Sequence, residues 1–130
     1  MTSVRSAKVK GSSFEYDVQY SLKFKYPSVY LTKQQGFQQQ QDVRSDIDKF
    51  TIECKRLRAI SWNEAVKIYE KLKLVTPQDY DCYLIFQSNR QPALVMGKGL
   101  DGCHFVLTFE HWFGIPFLKH ESTRAFKKKI

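Results

Sequence analysis

Asp42-Val43-Arg44-Ser45-Asp46-Ile47-Asp48-Lys49-Phe50-Thr51-Ile52-Glu53-Cys54-Lys55 is the stretch that decides the fold. It reads as a β-hairpin. Val43, Ser45 and Ile47 recur at the period of two that sets side chains on one face of a strand, and so do Phe50, Ile52 and Cys54. Asp46-Ile47-Asp48-Lys49 supplies a tight connection between them. If the apolar sets face the core, Asp42, Glu53 and Lys55 share the opposite face. Strand pairing can then place Asp42 opposite or diagonal to Glu53 and Lys55. Two carboxylates and one ammonium converge at one end of a strand pair.

That trio has a chemical logic. Neighbouring carboxylates repel, so one resists ionisation unless a cation lies between them. Oxygen ligands without histidine or thiolate favour a hard ion, Mg²⁺ or Mn²⁺. Water on such an ion is a better nucleophile, and the ion neutralises phosphodiester charge. Lys55 can orient that water or stabilise the charge that builds up at phosphorus. Glu-x-Lys is a common spacing, however, and also describes a hairpin whose charged face simply meets solvent. Asp46 competes with Asp42 as the first acid. Only six residues separate it from Glu53, too few for comfortable strands on both sides of a turn, and Asp42 is preferred.

Outward from the hairpin, Phe14 to Tyr26 satisfies two periods at once. Phe14, Tyr16, Val18, Tyr20, Leu22, Phe24 and Tyr26 alternate as in a strand, while Phe14, Val18, Leu22 and Tyr26 recur as on one helix face. Ser28 to Lys33 reads as a strand and Gln34 to Gln41 as a solvated polar loop. Ser61 and Glu64 have capping-box spacing and open a helix whose face carries Trp62, Val66, Tyr69 and Leu72. Thr76-Pro77-Gln78-Asp79 ends it. Tyr83 to Phe86, Ala93 to Met96 and Cys103 to Phe109 are further strands, and Gly97 to Gly102 is a turn-rich break. No repeat or internal boundary is visible. Residues 1–130 therefore form one domain, with a flexible basic arm over 1–10 and a flexible basic tail over 120–130.

Composition sets the frame. The chain has 130 residues and a formal net charge of +8, with a sequence pI of about 9.4. Hydrophobic residues make up 42% and aromatics 15%, enough for a packed core and against global disorder. No apolar run has the length of a membrane span, and the first ten residues lack the apolar stretch of a secretory signal. The charge favours a polyanionic partner without saying which. Cys54, Cys82 and Cys103 are an odd set without a C-x-x-C pair, and apolar neighbours predict buried, reduced thiols. His104, His111 and His120 have no metal-ligand spacing.

Gly11-Ser12-Ser13-Phe14-Glu15, then Gln41-Asp42-Val43, then Ile52-Glu53-Cys54-Lys55, resembles the PD-(D/E)XK nuclease superfamily. Within it the chain looks most like the small archaeal-type and viral Holliday junction resolvases, over about residues 8–96. Those begin with a basic arm, a Gly-Ser turn and a helix carrying a glutamate. A strand, a polar loop, the Asp strand, the Glu-x-Lys strand and a helix follow. Gln41 departs from the proline of the family name, a backbone element on which no chemistry depends.

The resemblance implies an α/β, restriction-endonuclease-like fold: a central mixed five-stranded sheet flanked by helices, with Phe14 to Phe24 helical. It implies that Asp42 and Glu53 bind Mg²⁺, that Glu15 reaches the same site, and that Lys55 assists the nucleophilic water. The activity implied is endonucleolytic cleavage of branched DNA in recombination and repair, foremost the paired cuts that resolve a four-way junction. Nucleases for flapped or linear DNA and a non-catalytic nucleic-acid-binding module are the alternatives. DNA contacts are expected from Arg5, Lys8 and Lys10 of the arm, from Lys33 and Gln34, and from Arg56 and Arg58. Paired cuts call for a homodimer. The aromatic run His111-Trp112-Phe113-Gly114-Ile115-Pro116-Phe117 would supply its interface or finish the monomer core. A cytoplasmic place is expected, in a prokaryotic cell or in the host of a virus.

Overall fold

Chain order alternates one helix with a run of strands, twice over. α1 (Val4–Leu22) precedes β1 (Tyr30–Leu31), β2 (Val43–Ser45) and β3 (Phe50–Arg56). α2 (Trp62–Val75) precedes β4 (Asp81–Gln87), β5 (Leu94–Lys98), β6 (His104–Thr108) and the short α3 (Phe109–Phe113). The computed structural model describes residues 4–35 and 41–120. The six strands form one mixed sheet in sequence order. Only β3 and β4 run parallel, as the α2 crossover between them requires. The other pairs are antiparallel. The fold is thus α/β as expected, with six strands among the described residues where five were expected.

Each face of the sheet is covered. Phe50, Ile52, Cys54, Ile85 and Val95 meet Phe14, Val18 and Leu22 of α1 and Phe109 and Phe113 of α3. Cys82, Leu84, Phe86 and Met96 meet Ala65, Tyr69 and Leu72 of α2. β3 is buried on both faces as far as Cys54. That is the condition of a central strand carrying an adjacent parallel partner.

The conflict of periods over residues 14–26 resolves in favour of the helix. Phe14, Val18 and Leu22 are its sheet-facing stripe. The intervening aromatics are covered by the far end of the chain: Tyr16 stacks on His120, and Tyr20 meets the same ring edge-on. Asp17 accepts from the His120 amide at 2.8 Å, and the Ser21 hydroxyl accepts from the Leu118 amide, also at 2.8 Å. Both sets are therefore apolar for a reason, and together they imitate a strand.

α2 starts where its capping box predicts. The Ser61 hydroxyl accepts from the Glu64 amide. Trp62, expected on the buried face, is 53% exposed beyond the end of that face. Ile47 lies in the hairpin turn and is 80% exposed rather than inward-facing. Cys54 and Cys82 are buried as expected, but Cys103 is exposed.

The termini also differ from expectation. Helical backbone from Val4 takes in most of the stretch read as an arm. His120, read as the start of the flexible tail, is bonded to α1; the rest of the tail, 121–130, lies outside the described residues. In the aromatic run Phe113 is buried, and Ile115 and Phe117 pack on the core that contains it. These residues finish the monomer core, while Trp112 stays partly exposed against Phe105. Among the described residues, no helix is long and apolar enough to cross a membrane.

Candidate active site

The β2–β3 register pairs Val43 with Ile52, Arg44 with Thr51 and Ser45 with Phe50. Asp42 sits one residue before β2 and ends this ladder. Its amide donates to the Ile52 carbonyl at 2.8 Å, and its carboxylate Oδ2 accepts from the Cys54 amide at 2.7 Å. A side chain thus replaces the backbone acceptor that a longer strand would offer. The segment before it is anchored as well. Thr32 Oγ1 donates to the Gln41 carbonyl. The buried Gln41 amide donates to the Val75 carbonyl at the end of α2, at 2.9 Å. Gln41, read only as a departure from a proline, is a tie between hairpin and helix; a buried glutamine leaves no periodic signal in sequence.

Glu53 projects from β3 on the α2 side and is only 7% exposed. Its Oε2 is buried without a hydrogen-bond partner. Lys55 Nζ lies 3.6 Å from its Oε1. Glu15, on α1, is paired with Lys33 at 3.1 Å, and the Lys33 ammonium also lies over the Tyr16 ring.

Electrostatics link the three acids. Burial, then the neighbouring Asp42 charge, push the Glu53 carboxyl up to about 9; Lys55 opposes the shift and does not cancel it. Burial and Asp42 likewise raise Glu15, with Lys33 opposing. The buried Cys54 thiol is raised by burial first and then by Asp42, Glu15 and Glu53, whose charges all reach it. Asp42 is therefore the common neighbour, interacting with Glu15 on one side and Glu53 on the other.

The rival acid, Asp46, is engaged elsewhere. It accepts from Arg44 at 2.7 Å and from the Tyr30 and Tyr80 hydroxyls at 2.8 Å each. Burial works against its ionisation, but these three donors outweigh it and hold the carboxyl below its ordinary value.

Glu15 with Lys33 and Glu53 with Lys55 form two pairs, and Asp42 is the electrostatic neighbour of both acids. Arg56 is tied to Gln87 at 2.8 Å, and Arg58 is exposed just beyond β3. The side chains of Arg5, Lys8, Lys10 and Gln34 lie outside the described ones, as do residues 36–40, most of the stretch read as a polar loop. Among the described residues, no three histidine, cysteine, aspartate or glutamate side chains form a ready ion-holding group. The fit to a divalent cation therefore rests on two carboxylates, Asp42 and Glu53, and on the orphaned Glu53 Oε2. Two are enough for Mg²⁺, which is commonly held by one or two carboxylates and keeps several waters. No family model, no curated protein and no solved structure matches this chain.

Proposed function

We propose that the protein is a metal-dependent endodeoxyribonuclease that cleaves branched DNA, with the four-way junction as its substrate. The observation that carries the proposal is the convergence of Asp42 and Glu53, with Glu15 beside Asp42, in a chain of net charge +8. A protein that only gripped DNA would gain nothing from buried carboxylates facing phosphates. A cation between them reconciles acid cluster and basic chain. The element order supports the same reading: a helix bearing Glu15, a strand, a loop, Asp42, a Glu-x-Lys strand and a helix. That is the order of the PD-(D/E)XK resolvases that the sequence resembles.

Asp42 and Glu53 would hold Mg²⁺, with Mn²⁺ as a substitute and Glu15 as the third acid. When bound, the ion supplies charge neutralisation and a more acidic water. The Cys54 amide keeps the Asp42 carboxylate aimed at the β3 side. Lys55, beside Glu53 and part-exposed, would orient the attacking water and stabilise negative charge on the phosphoryl oxygens. Lys33 and Arg58, with Arg5, Lys8, Lys10, Gln34 and Arg56, would grip phosphates, so shape rather than base sequence sets specificity. Paired cuts across a junction require two such sites, hence a symmetric homodimer.

The test is cleavage of a synthetic four-way junction, a flap and a plain duplex, each with Mg²⁺ and with chelator. Metal-dependent cutting that favours the junction is expected. Equal rates on all three would demote the junction to one substrate among many. Binding without product in Mg²⁺ or Mn²⁺ would remove the enzyme and leave a binding module.

A further inference from the structure

We infer that Lys71 of α2 is a substrate-phosphate ligand, and that a nucleic-acid strand reaches the acid cluster by crossing this helix. The inference rests on the nuclease function proposed above and extends its substrate contacts to an element outside the hairpin. A small cavity of about 160 Å³ lies between β3 and α2, lined by Glu53, Lys55, Ile68 and Lys71. A water needs about 10–15 Å³ of such space, so the cavity has room for a phosphate group and accompanying waters. Its lining joins one acid, Glu53, to two basic side chains, Lys55 and Lys71.

A second observation concerns α2 itself. Lys67 and Lys71 stand four residues apart on its exposed side, where like charges repel. Among the described residues, neither has an ion-pair partner. Of the acids near them, Glu70 is engaged by His104 at 3.0 Å and Lys98 at 3.5 Å, and Glu53 by Lys55 at 3.6 Å. Lys71 shares the cavity with Lys55 and has Lys67 one helical turn away, a cationic face that a polyanion satisfies. Lys73 is the built-in control. It lies on the same helix but lines a different cavity, with Tyr80 and Lys98.

The experiment measures junction binding in chelator across a salt series for the native protein and for Lys71→Gln, Lys71→Arg and Lys73→Gln. Losing one phosphate contact lowers the slope of log K against log salt by about 0.9. Lys71→Gln is expected to show that loss and a several-fold weaker affinity, and Lys71→Arg to restore both. Lys73→Gln is expected to match the native protein. With Mg²⁺, Lys71→Gln should raise KM and leave kcat nearly unchanged, because the contact is to the strand rather than to the reacting atoms. An unchanged slope in Lys71→Gln, or an equal loss in Lys73→Gln, overturns the inference. A native protein that binds but never cuts defeats the nuclease reading alone, and the slope comparison still decides Lys71. A native protein that does not bind the junction defeats both.

Discussion

The Cys54 amide and the Asp42 carboxylate are joined by a 2.7 Å hydrogen bond that closes the β2–β3 ladder with a side chain instead of a carbonyl. Asp42 is thereby fixed by the backbone of the strand that also carries Glu53 and Lys55. A divalent cation held by Asp42 and Glu53 would be held by one rigid hairpin, the arrangement that keeps a reactive geometry within tolerance.

Asp42→Asn should preserve that hydrogen bond through its remaining carbonyl oxygen and remove the charge. Cleavage is expected to fall by about 10³-fold, the equivalent of the several kcal/mol that a metal supplies. Junction binding in chelator should survive. Undiminished cutting by both Asp42→Asn and Glu53→Gln would sink the site assignment.

Glu53 gives the stability curve a direction. Its carboxyl is raised to about 9 in the folded protein, from an ordinary value near 4.5. The folded state then binds more protons than the unfolded one between those values, so stability falls as pH rises through that window. The contribution of neutral Glu53 is complete below about 4.5 and gone above about 9. In chelator, Glu53→Gln should match the native Tm near pH 5 and exceed it near pH 9. Each kcal/mol of relieved desolvation and repulsion is expected to appear as about 3–4 °C in a chain of this length. A native-minus-variant difference that stays constant across the range contradicts this account.

Mg²⁺ or Mn²⁺ should raise the native Tm at fixed ionic strength. Saturation to about 100 times Kd corresponds to about 2.7 kcal/mol. Glu53→Gln and Asp42→Asn should lose most of that rise. Thermal shift with and without the ion reads this directly, without reference to any substrate. An equal shift in all three proteins would assign the ion to some other place.

Gly97 is predicted to resist replacement. A Cβ at this position would clash with the Phe105 ring. That ring is itself packed on Trp112, with centroids 4.8 Å apart. Gly97→Ala must displace it, and overpacking of this kind typically costs about 1–3 kcal/mol. Denaturant unfolding measures the loss, and the altered surroundings of Trp112 should register in fluorescence.

Much of this was legible in sequence where one local rule acted alone. The hairpin, its turn and the Ser61 cap each follow from period or capping chemistry within a few residues, and the structure has them in place. α1 was ambiguous because two different partners cover it, the sheet on one side and residues 117–120 on the other. A single period cannot describe a helix buried twice. Cys103 has apolar neighbours but follows the exposed turn at Gly102 and precedes an edge strand, so apolar sequence company did not mean burial. The pairing of Asp42 and Glu53 was anticipated from strand geometry. Gln41 and Lys71 were not, because their roles depend on where α2 lies across the sheet, a tertiary fact with no local signature.

The clasp between α1 and the segment around Leu118 and His120 joins residues 97 to 103 positions apart. On a ribosome the hairpin with Asp42 and Glu53 emerges long before that segment does. The helix that carries Glu15 precedes the hairpin in the chain, and the segment that fastens it follows the hairpin. A growing chain therefore exposes Glu15, Asp42 and Glu53 before the segment that clasps α1, so the position of Glu15 gains its last support later than that of the hairpin acids.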